Sequence, residues 1–342
     1  MIWRSFSLIR FFAEIYLILL EMHARVRYNR KSNFCKAKSW DVNDIKYIFI
    51  INPSAGKGRF VEELTAKIGK TFREQEYEIY LTAAPKDATV FLQNYPTGEE
   101  KLCFVACGGD GTLNEVINGA AERTDCCIAV LPCGSGNDFV KSLDSSFTLT
   151  EPAALLTGNN RRIDLLRCGD RYCVNVCNIG FDAMVVQNMP KFKKLPFVTG
   201  SLAYILSIVY TLAGKMYTKM AITVDGEPAL DRECILTAIA NGKCYGGGFY
   251  PAPQAEIDDG YIDFCAVNRI TRLDLIRLVG AYRKGEHMSD PRFEKYIHYY
   301  KCKHITITAP KDMAICLDGE LIYGNTLDVE ICPGMLEIIV PK

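Results

Sequence analysis

Leu102-Cys103-Phe104-Val105-Ala106-Cys107-Gly108-Gly109-Asp110-Gly111-Thr112-Leu113-Asn114-Glu115-Val116 joins two patterns with no linker between them. The first six residues are apolar without a break, as expected of a strand covered on both faces. From Leu113 the apolar positions Val116, Ile117 and Ala120 follow at helical spacing. Between the two, Gly108, Gly109 and Gly111 carry no side chain, so backbone N–H groups at the start of the helix are open to a phosphate. Asp110 sits among them. A carboxylate there repels a nucleotide unless a divalent cation bridges the two, and the oxygen-seeking, water-retaining Mg²⁺ suits that place. A plain glycine turn capped by Asp110 or Thr112 is the simpler alternative. The chain has no GxxxxGK[ST], which excludes an ordinary P-loop.

Working outward, strand and helix patterns alternate: strand Tyr47 to Ile51, helix Phe60 to Phe72, strand Tyr77 to Thr82, helix Asp87 to Asn94, strand Leu102 to Cys107, helix Thr112 to Ala121, strand Cys127 to Leu131. This spacing predicts a parallel α/β sheet. Three loops at the carboxyl ends of its strands carry Asn52-Pro53-Ser54-Ala55-Gly56, Gly108 to Thr112 and Gly134-Ser135-Gly136-Asn137-Asp138. Open α/β sheets bind ligands at that edge, so the three loops are expected to converge on one crevice. Helix capping accounts for Asp138, but not for the glycines on either side of Ser135.

Beyond Asp164 the pattern turns to strands such as Tyr172 to Val176, Met220 to Val224, Cys234 to Ala240 and Tyr261 to Val267. The expected fold class is therefore α/β followed by a mainly antiparallel β domain, with the active site in the cleft between them. The organisation reads as an extension over residues 1–45, an α/β nucleotide domain over 46–165, a β-rich domain over 166–326, and strands over 327–342 that return to the first domain. Ser201 to Ala213 is apolar but too short to span a bilayer, and reads as a buried core helix. In the extension, Arg4, Ser7, Arg10, Glu14 and Glu21 recur at helical spacing around an apolar face, the pattern of a helix lying in a membrane interface. Packing on the protein, or a start at Met22, would explain the same residues.

Forty basic residues balance forty acidic ones, which argues against a nucleic-acid partner. The 15 cysteines are scattered through apolar runs without a CxxC pair, as expected of buried small hydrophobes in a reducing, cytoplasmic compartment. Phosphoryl transfer to an alcohol needs a proton acceptor close to the γ-phosphate. None of the four histidines lies in a glycine loop, so a carboxylate is the better candidate. Asp318-Gly319-Glu320 and Asp225-Gly226-Glu227 have the same local form, and spacing does not choose between them. Asp258-Asp259-Gly260-Tyr261 forms an acidic turn, ordinarily a hairpin tip.

Taken together these residues resemble the diacylglycerol kinase catalytic-domain superfamily, which includes bacterial lipid kinases and the sphingosine and ceramide kinases. The resemblance runs from about Lys46 to the C-terminus. It is carried by Gly108 to Val116, Asn52 to Gly56, Asn178-Ile179-Gly180-Phe181-Asp182-Ala183, Asp258 to Tyr261 and Leu317 to Glu320. It implies an ATP- and Mg²⁺-dependent kinase acting on a lipid hydroxyl at a membrane surface. Asn52, Pro53, Ser54, Ala55, Gly56, Thr82, Gly108, Gly109, Asp110, Gly111, Thr112, Leu113, Asn114, Glu115 and Ser135 would line the ATP site, with Asp110 close to the catalytic magnesium. Glu320 would accept the proton, and Glu256, Asp259 and Tyr261 would hold a structural magnesium, partly through backbone oxygens. Asp164 matches an aspartate near the active site. Gly134-Ser135-Gly136-Asn137 follows the sphingoid-base kinases, where many bacterial diacylglycerol kinases carry Gly-Thr-x-Asn, so the acceptor stays open, as does a homodimer. The competing readings are an NAD kinase, which shares Gly-Gly-Asp-Gly-Thr, and a catalytically silent lipid-binding regulator.

Overall fold

The computed structural model describes residues 45–55, 60–134, 136–143, 151–195, 198, 200–214 and 216–340. The expected N-terminal helix, Gly56 and Ser135 lie outside them. Strands β1 (Ile45–Ile51), β2 (Tyr77–Leu81), β3 (Lys101–Gly108) and β4 (Cys126–Pro132) are all parallel and alternate with helices α1 (Phe60–Thr71), α2 (Asp87–Asn94) and α3 (Asp110–Ala120). A short helix α4 (Val140–Leu143) follows. Both faces of the sheet are covered. Ile48, Ile50, Phe104 and Ala106 pack into one core with α3, while Tyr47, Phe49, Val105 and Cys107 face another with α1. That two-sided burial is why these strands read as continuous apolar runs.

The second half comprises β5 (Asn159–Cys168), β6 (Arg171–Cys173), β7 (Val176–Gly180), β8 (Thr218–Val224), β9 (Glu227–Ala240), β10 (Ile262–Asn268), β11 (Ile297–Cys302), β12 (His304–Leu317) and β13 (Glu320–Val340). Helices α5 (Phe181–Lys193) and α6 (Gly200–Ala213) lie between β7 and β8, and α7 (Arg272–Arg283) lies between β10 and β11. The strands β9, β7, β12 and β8 pair in a closed circuit, each antiparallel to the next. Met220, Ile222, Cys177, Ile179, Ile305 and Ile315 fill its interior. The result is a β-sandwich-like domain beside the α/β domain.

The sequence reads residues 327–342 as separate strands, but β13 runs unbroken from the Asp318 turn for 21 residues. Its register shifts between Cys332 and Leu336, a bulge that bends it rather than ending it, and Pro333 sits where no ladder N–H is needed. Bent in this way, β13 pairs β12 over its first half, and Ile338 reaches Ile128 of β4. Two further expectations change. Tyr172 to Val176 is not one strand, because its central N–H groups turn away to a side chain described below. Helix α6 is not a buried core helix: Ala203, Ser207 and Thr211 face the protein, whereas Leu202 is 40% and Tyr210 52% exposed. Among the described residues no helix is long and apolar enough to cross a membrane.

Candidate active site

The sheet order β2-β1-β3-β4 reverses direction between β1 and β3, so the crevice of this α/β sheet opens above their carboxyl ends. Asn52 closes the end of β1. Its Oδ1 accepts the Ser54 N–H at 2.9 Å and its Nδ2 donates to Thr112 Oγ1 at 3.2 Å, tying the first glycine loop to the second. Pro53 and Ser54 are exposed, and Thr82 is half-buried at the end of β2 with its N–H on Ile51 O.

Asp110 opens α3, where the helix dipole favours a carboxylate. The third loop lies directly against it. A Cβ on Gly134 would stand 2.4 Å from Gly109 Cα, and one on Gly136 2.7 Å from Asp110 Oδ2, so only glycine lets the loops meet. Asp110 Oδ1 accepts the N–H groups of Asp138 at 2.7 Å and Phe139 at 3.4 Å. Among the described residues nothing hydrogen-bonds Oδ2. Burial and then the adjacent Asp138 push Asp110 up to about 6, against the pull of its two N–H donors. Asp138 in turn faces Lys141 at 2.5 Å and accepts the Gly247 N–H at 2.9 Å from the second domain. Two facing carboxylates, one with a free oxygen, suit a hard divalent cation.

Not every expected nucleotide residue faces the crevice. Glu115 accepts the N–H groups of Lys86 and Ala88 at 2.9 and 3.2 Å and so holds the start of α2. Leu113 and Asn114 are buried, and Asn114 Nδ2 donates to Asp318 Oδ2 at 3.2 Å across the domain boundary.

The Asp318-Gly319-Glu320 turn divides its labour. Asp318 Oδ2 accepts the Val174 N–H at 2.8 Å, while Oδ1 accepts those of Asn175 and Val176 at 3.1 Å each and the Cys173 thiol at 3.0 Å. These N–H groups are the ones diverted from the Tyr172 to Val176 ladder. Glu320 pairs with Arg171 of β6 at 2.6 Å. In the look-alike turn, Asp225 accepts the N–H groups of Lys303 and His304 at 2.9 and 2.8 Å, and neither Asp225 nor Glu227 lines the cleft.

Between the domains Asp110, Asp138, Asp182 and Asp318 face a cavity of about 190 Å³, with Leu113, Phe139, Val174, Val176 and Val186 as its apolar wall. Glu320 is held just outside it. Asp182 reaches the cavity because β7 ends on Gly180 at φ 104°, where any Cβ would meet Ile235 O at 2.3 Å, and α5 starts at the next residue. Asp182 accepts a hydrogen bond from Tyr245, and burial pushes it up to about 6. Asp182, Tyr204 and Tyr245 reach the cleft through tertiary packing and Arg171 meets Glu320 beside it, so motif roles alone identify none of the four. The sequence explains Asp138 only as a helix cap, whereas the structure sets it on the cavity beside Asp110.

The acidic turn lies apart from this cavity. Asp259 Oδ2 pairs with Lys301 at 2.5 Å and Oδ1 accepts the Tyr261 N–H at 3.0 Å, while Glu256 is exposed. Asp164 anchors the turn, accepting Gly260 N–H at 2.7 Å and Gly334 N–H at 2.6 Å. Among the described residues no three His, Cys, Asp or Glu side chains are grouped to hold a metal.

Residues 46–168 match the family described as diacylglycerol kinase catalytic domain, and residues 175–340 match the YegS C-terminal NAD kinase beta sandwich-like domain. The chain belongs to the diacylglycerol kinase catalytic-domain superfamily. Its class is that of the lipid kinases. Diacylglycerol kinase of Bacillus subtilis is 28% identical over 300 residues, covering 86% of this chain and 95% of that protein. Diacylglycerol kinase of Staphylococcus saprophyticus is 29% identical over 286 residues, 81% of this chain and 89% of that one. A crystal structure of a diacylglycerol kinase from Bacillus anthracis superposes with a TM-score of 0.62 over 86% of this chain and 96% of that chain; at 22% identity it speaks to the fold alone.

Proposed function

We propose that this lipid kinase transfers the γ-phosphoryl group of ATP to a hydroxyl of diacylglycerol or a related glycerolipid or sphingoid acceptor, working on the cytoplasmic surface of a membrane. One observation carries the reading: the glycine loop around Asp110 and the Asp318-Gly319-Glu320 turn, 208 residues apart in the chain, border the same small cleft with an apolar wall. The loops at Asn52 to Ala55 and Gly108 to Thr112 offer backbone N–H groups to the phosphates. Ser135 belongs to the third of these loops. The acceptor hydroxyl oxygen attacks the γ-phosphorus, the bond to the β-phosphate oxygen breaks, ADP leaves, and the hydroxyl proton passes to Glu320. Before it can do so, Glu320 must turn from Arg171 toward the cleft.

Asp110, through its free Oδ2, would hold the magnesium ion, with Asp138 able to join it only by giving up Lys141; when bound, the ion supplies charge neutralisation for the transferring phosphoryl group. The acidic turn offers no oxygen comparable to the free Oδ2 of Asp110: Lys301 neutralises Asp259 there, and a cation held by Glu256, Asp259 and Tyr261 would have to displace it.

The test is transfer of label from γ-labelled ATP and Mg²⁺ to a micellar panel of diacylglycerol, monoacylglycerol, phosphatidylglycerol, sphingosine and ceramide, with NAD alongside. Label in a lipid names the acceptor. Label in NAD alone, or nucleotide binding with no transfer, overturns the proposal.

A further inference from the structure

Helices α5 and α6 follow one another and pack together. Their inner faces meet through small and polar groups: Ser207 Oγ donates to Val185 O at 2.5 Å, and Asn188 Nδ2 to Thr211 Oγ1 at 3.2 Å. Some large apolar side chains on and beside these helices are exposed. Leu195 is 47%, Leu202 40% and Tyr210 52% exposed, and the 59% exposed Tyr323 lies against α5 through Gln187. Two of them stand on α6, one just past the end of α5 and one on β13 beside it. Large apolar side chains exposed close to one another in the chain and at the site mark a surface that something covers.

The charge on the hairpin says what covers it. From Ala183 to Val224 the chain has no Asp or Glu and five lysines. Lys191, Lys193 and Lys194 cluster where α5 ends, immediately before Leu195, and Lys191 sits 4.8 Å over the Tyr210 ring. Lysines at a helix C-terminus are ordinary dipole partners. An exposed apolar face beside them, with no acid in the whole stretch, is the pattern of a surface that lies in an anionic lipid interface. The cavity supplies a second argument. Val186 of α5 and Tyr204 of α6 line this cavity, so the same hairpin that presents the apolar face also borders the site.

We infer that the α5–α6 hairpin docks the enzyme on an anionic bilayer, with Lys191, Lys193 and Lys194 at the head groups and Leu195, Leu202 and Tyr210 in the interface, so that the acceptor's head group enters the cleft while its chains stay in the membrane. This rests on the lipid-kinase reading for why a bilayer is the partner, and the test separates the two. The full chain is sedimented with vesicles of phosphatidylcholine alone and of phosphatidylcholine with phosphatidylglycerol. Transfer to a short-chain acceptor dispersed in detergent is measured beside it. Wild type should sediment with the anionic vesicles. One lysine near an anionic surface contributes about 1 kcal/mol, or roughly fivefold, so a Lys191→Gln, Lys193→Gln, Lys194→Gln variant should lose on the order of a hundredfold in partitioning. A Leu195→Ser, Tyr210→Ser variant should also lose binding, and both should keep their circular dichroism and their transfer to the dispersed acceptor. Vesicle binding unchanged in both variants, or absent in wild type, overturns the docking surface and leaves the kinase reading intact. Self-association of wild type that the Leu195→Ser, Tyr210→Ser variant abolishes would reassign the face to a second copy of the chain. Vesicle binding that depends on these residues, with no lipid phosphorylated, supports the surface and removes the kinase reading.

Discussion

Asp318 and Glu320 are two residues apart, yet replacing them should break different things. Asp318 is the acceptor for three backbone N–H groups, a thiol and the Asn114 amide, all at the junction of the two domains. Asp318→Ala removes the acceptor and leaves the donors. A buried donor without a partner costs about 1–3 kcal/mol, so the three N–H groups alone put the loss at roughly 3–9 kcal/mol. Stability of a folded protein totals only about 5–15 kcal/mol, so the low end is already a large share of it. At roughly 2–4 °C per kcal/mol, a loss at the low end would lower the melting temperature by about 6–12 °C. Thermal unfolding followed by circular dichroism, in the absence of nucleotide, measures this directly. Asp318→Asn keeps one acceptor oxygen and should fall between wild type and Asp318→Ala. An Asp318→Ala protein that melts with wild type while losing activity would refute the structural role and move Asp318 into the chemistry.

Glu320→Gln should behave in the opposite way, with an unchanged melting temperature and a loss of roughly 10²–10⁴ in kcat, the usual contribution of a positioned acid or base; near-normal turnover in the folded variant would remove Glu320 as proton acceptor. For Asp110 the sign runs against stability. Its folded value, about 6, lies above the unfolded carboxylate value, so the native state holds the extra proton and stability falls as pH rises from about 4 to about 6. Asp110→Asn should therefore flatten that slope and raise the melting temperature at neutral pH while abolishing transfer, checked by melting curves across pH. In the same free enzyme, kcat/KM for ATP should climb as pH passes 6 and Asp110 ionises. At the acidic turn, Mg²⁺ should leave the melting temperature of an Asp110→Asn protein unmoved, whereas adding Lys301→Met should make it magnesium-dependent by freeing Asp259; equal stabilisation without the lysine change would show that the turn binds metal as it stands.

Much of the α/β half was legible because local and tertiary demands agree there. The Leu102 to Val116 stretch writes its strand, its glycine turn and its helix in consecutive residues, and burial on both faces leaves the strand no polar positions to confuse the pattern. The β-rich half was read less well for a physical reason visible at two places. Val174 to Val176 have strand-like side chains, but their N–H groups are taken by Asp318, which lies more than 140 residues away. Helix α6 has the composition of a core helix, but composition does not say which face turns inward, and here Ala203, Ser207 and Thr211 do.

The sequence by itself determined that glycine loops follow three parallel strands, that a carboxylate stands among the glycines, and that a late acidic turn awaits a partner. Its spacing could not separate Asp318-Gly319-Glu320 from Asp225-Gly226-Glu227, since both make the same tight turn with φ positive at Asp and Gly, and only the family resemblance pointed to the later one. The tertiary structure sets the two apart in space, bending β13 across the domain boundary so that one turn meets the Asp110 loop while the other caps a hairpin outside the cleft. The separation is physical: turn geometry is set by neighbours in the chain, whereas proximity to a reacting group is set by the packing of strands far apart in sequence.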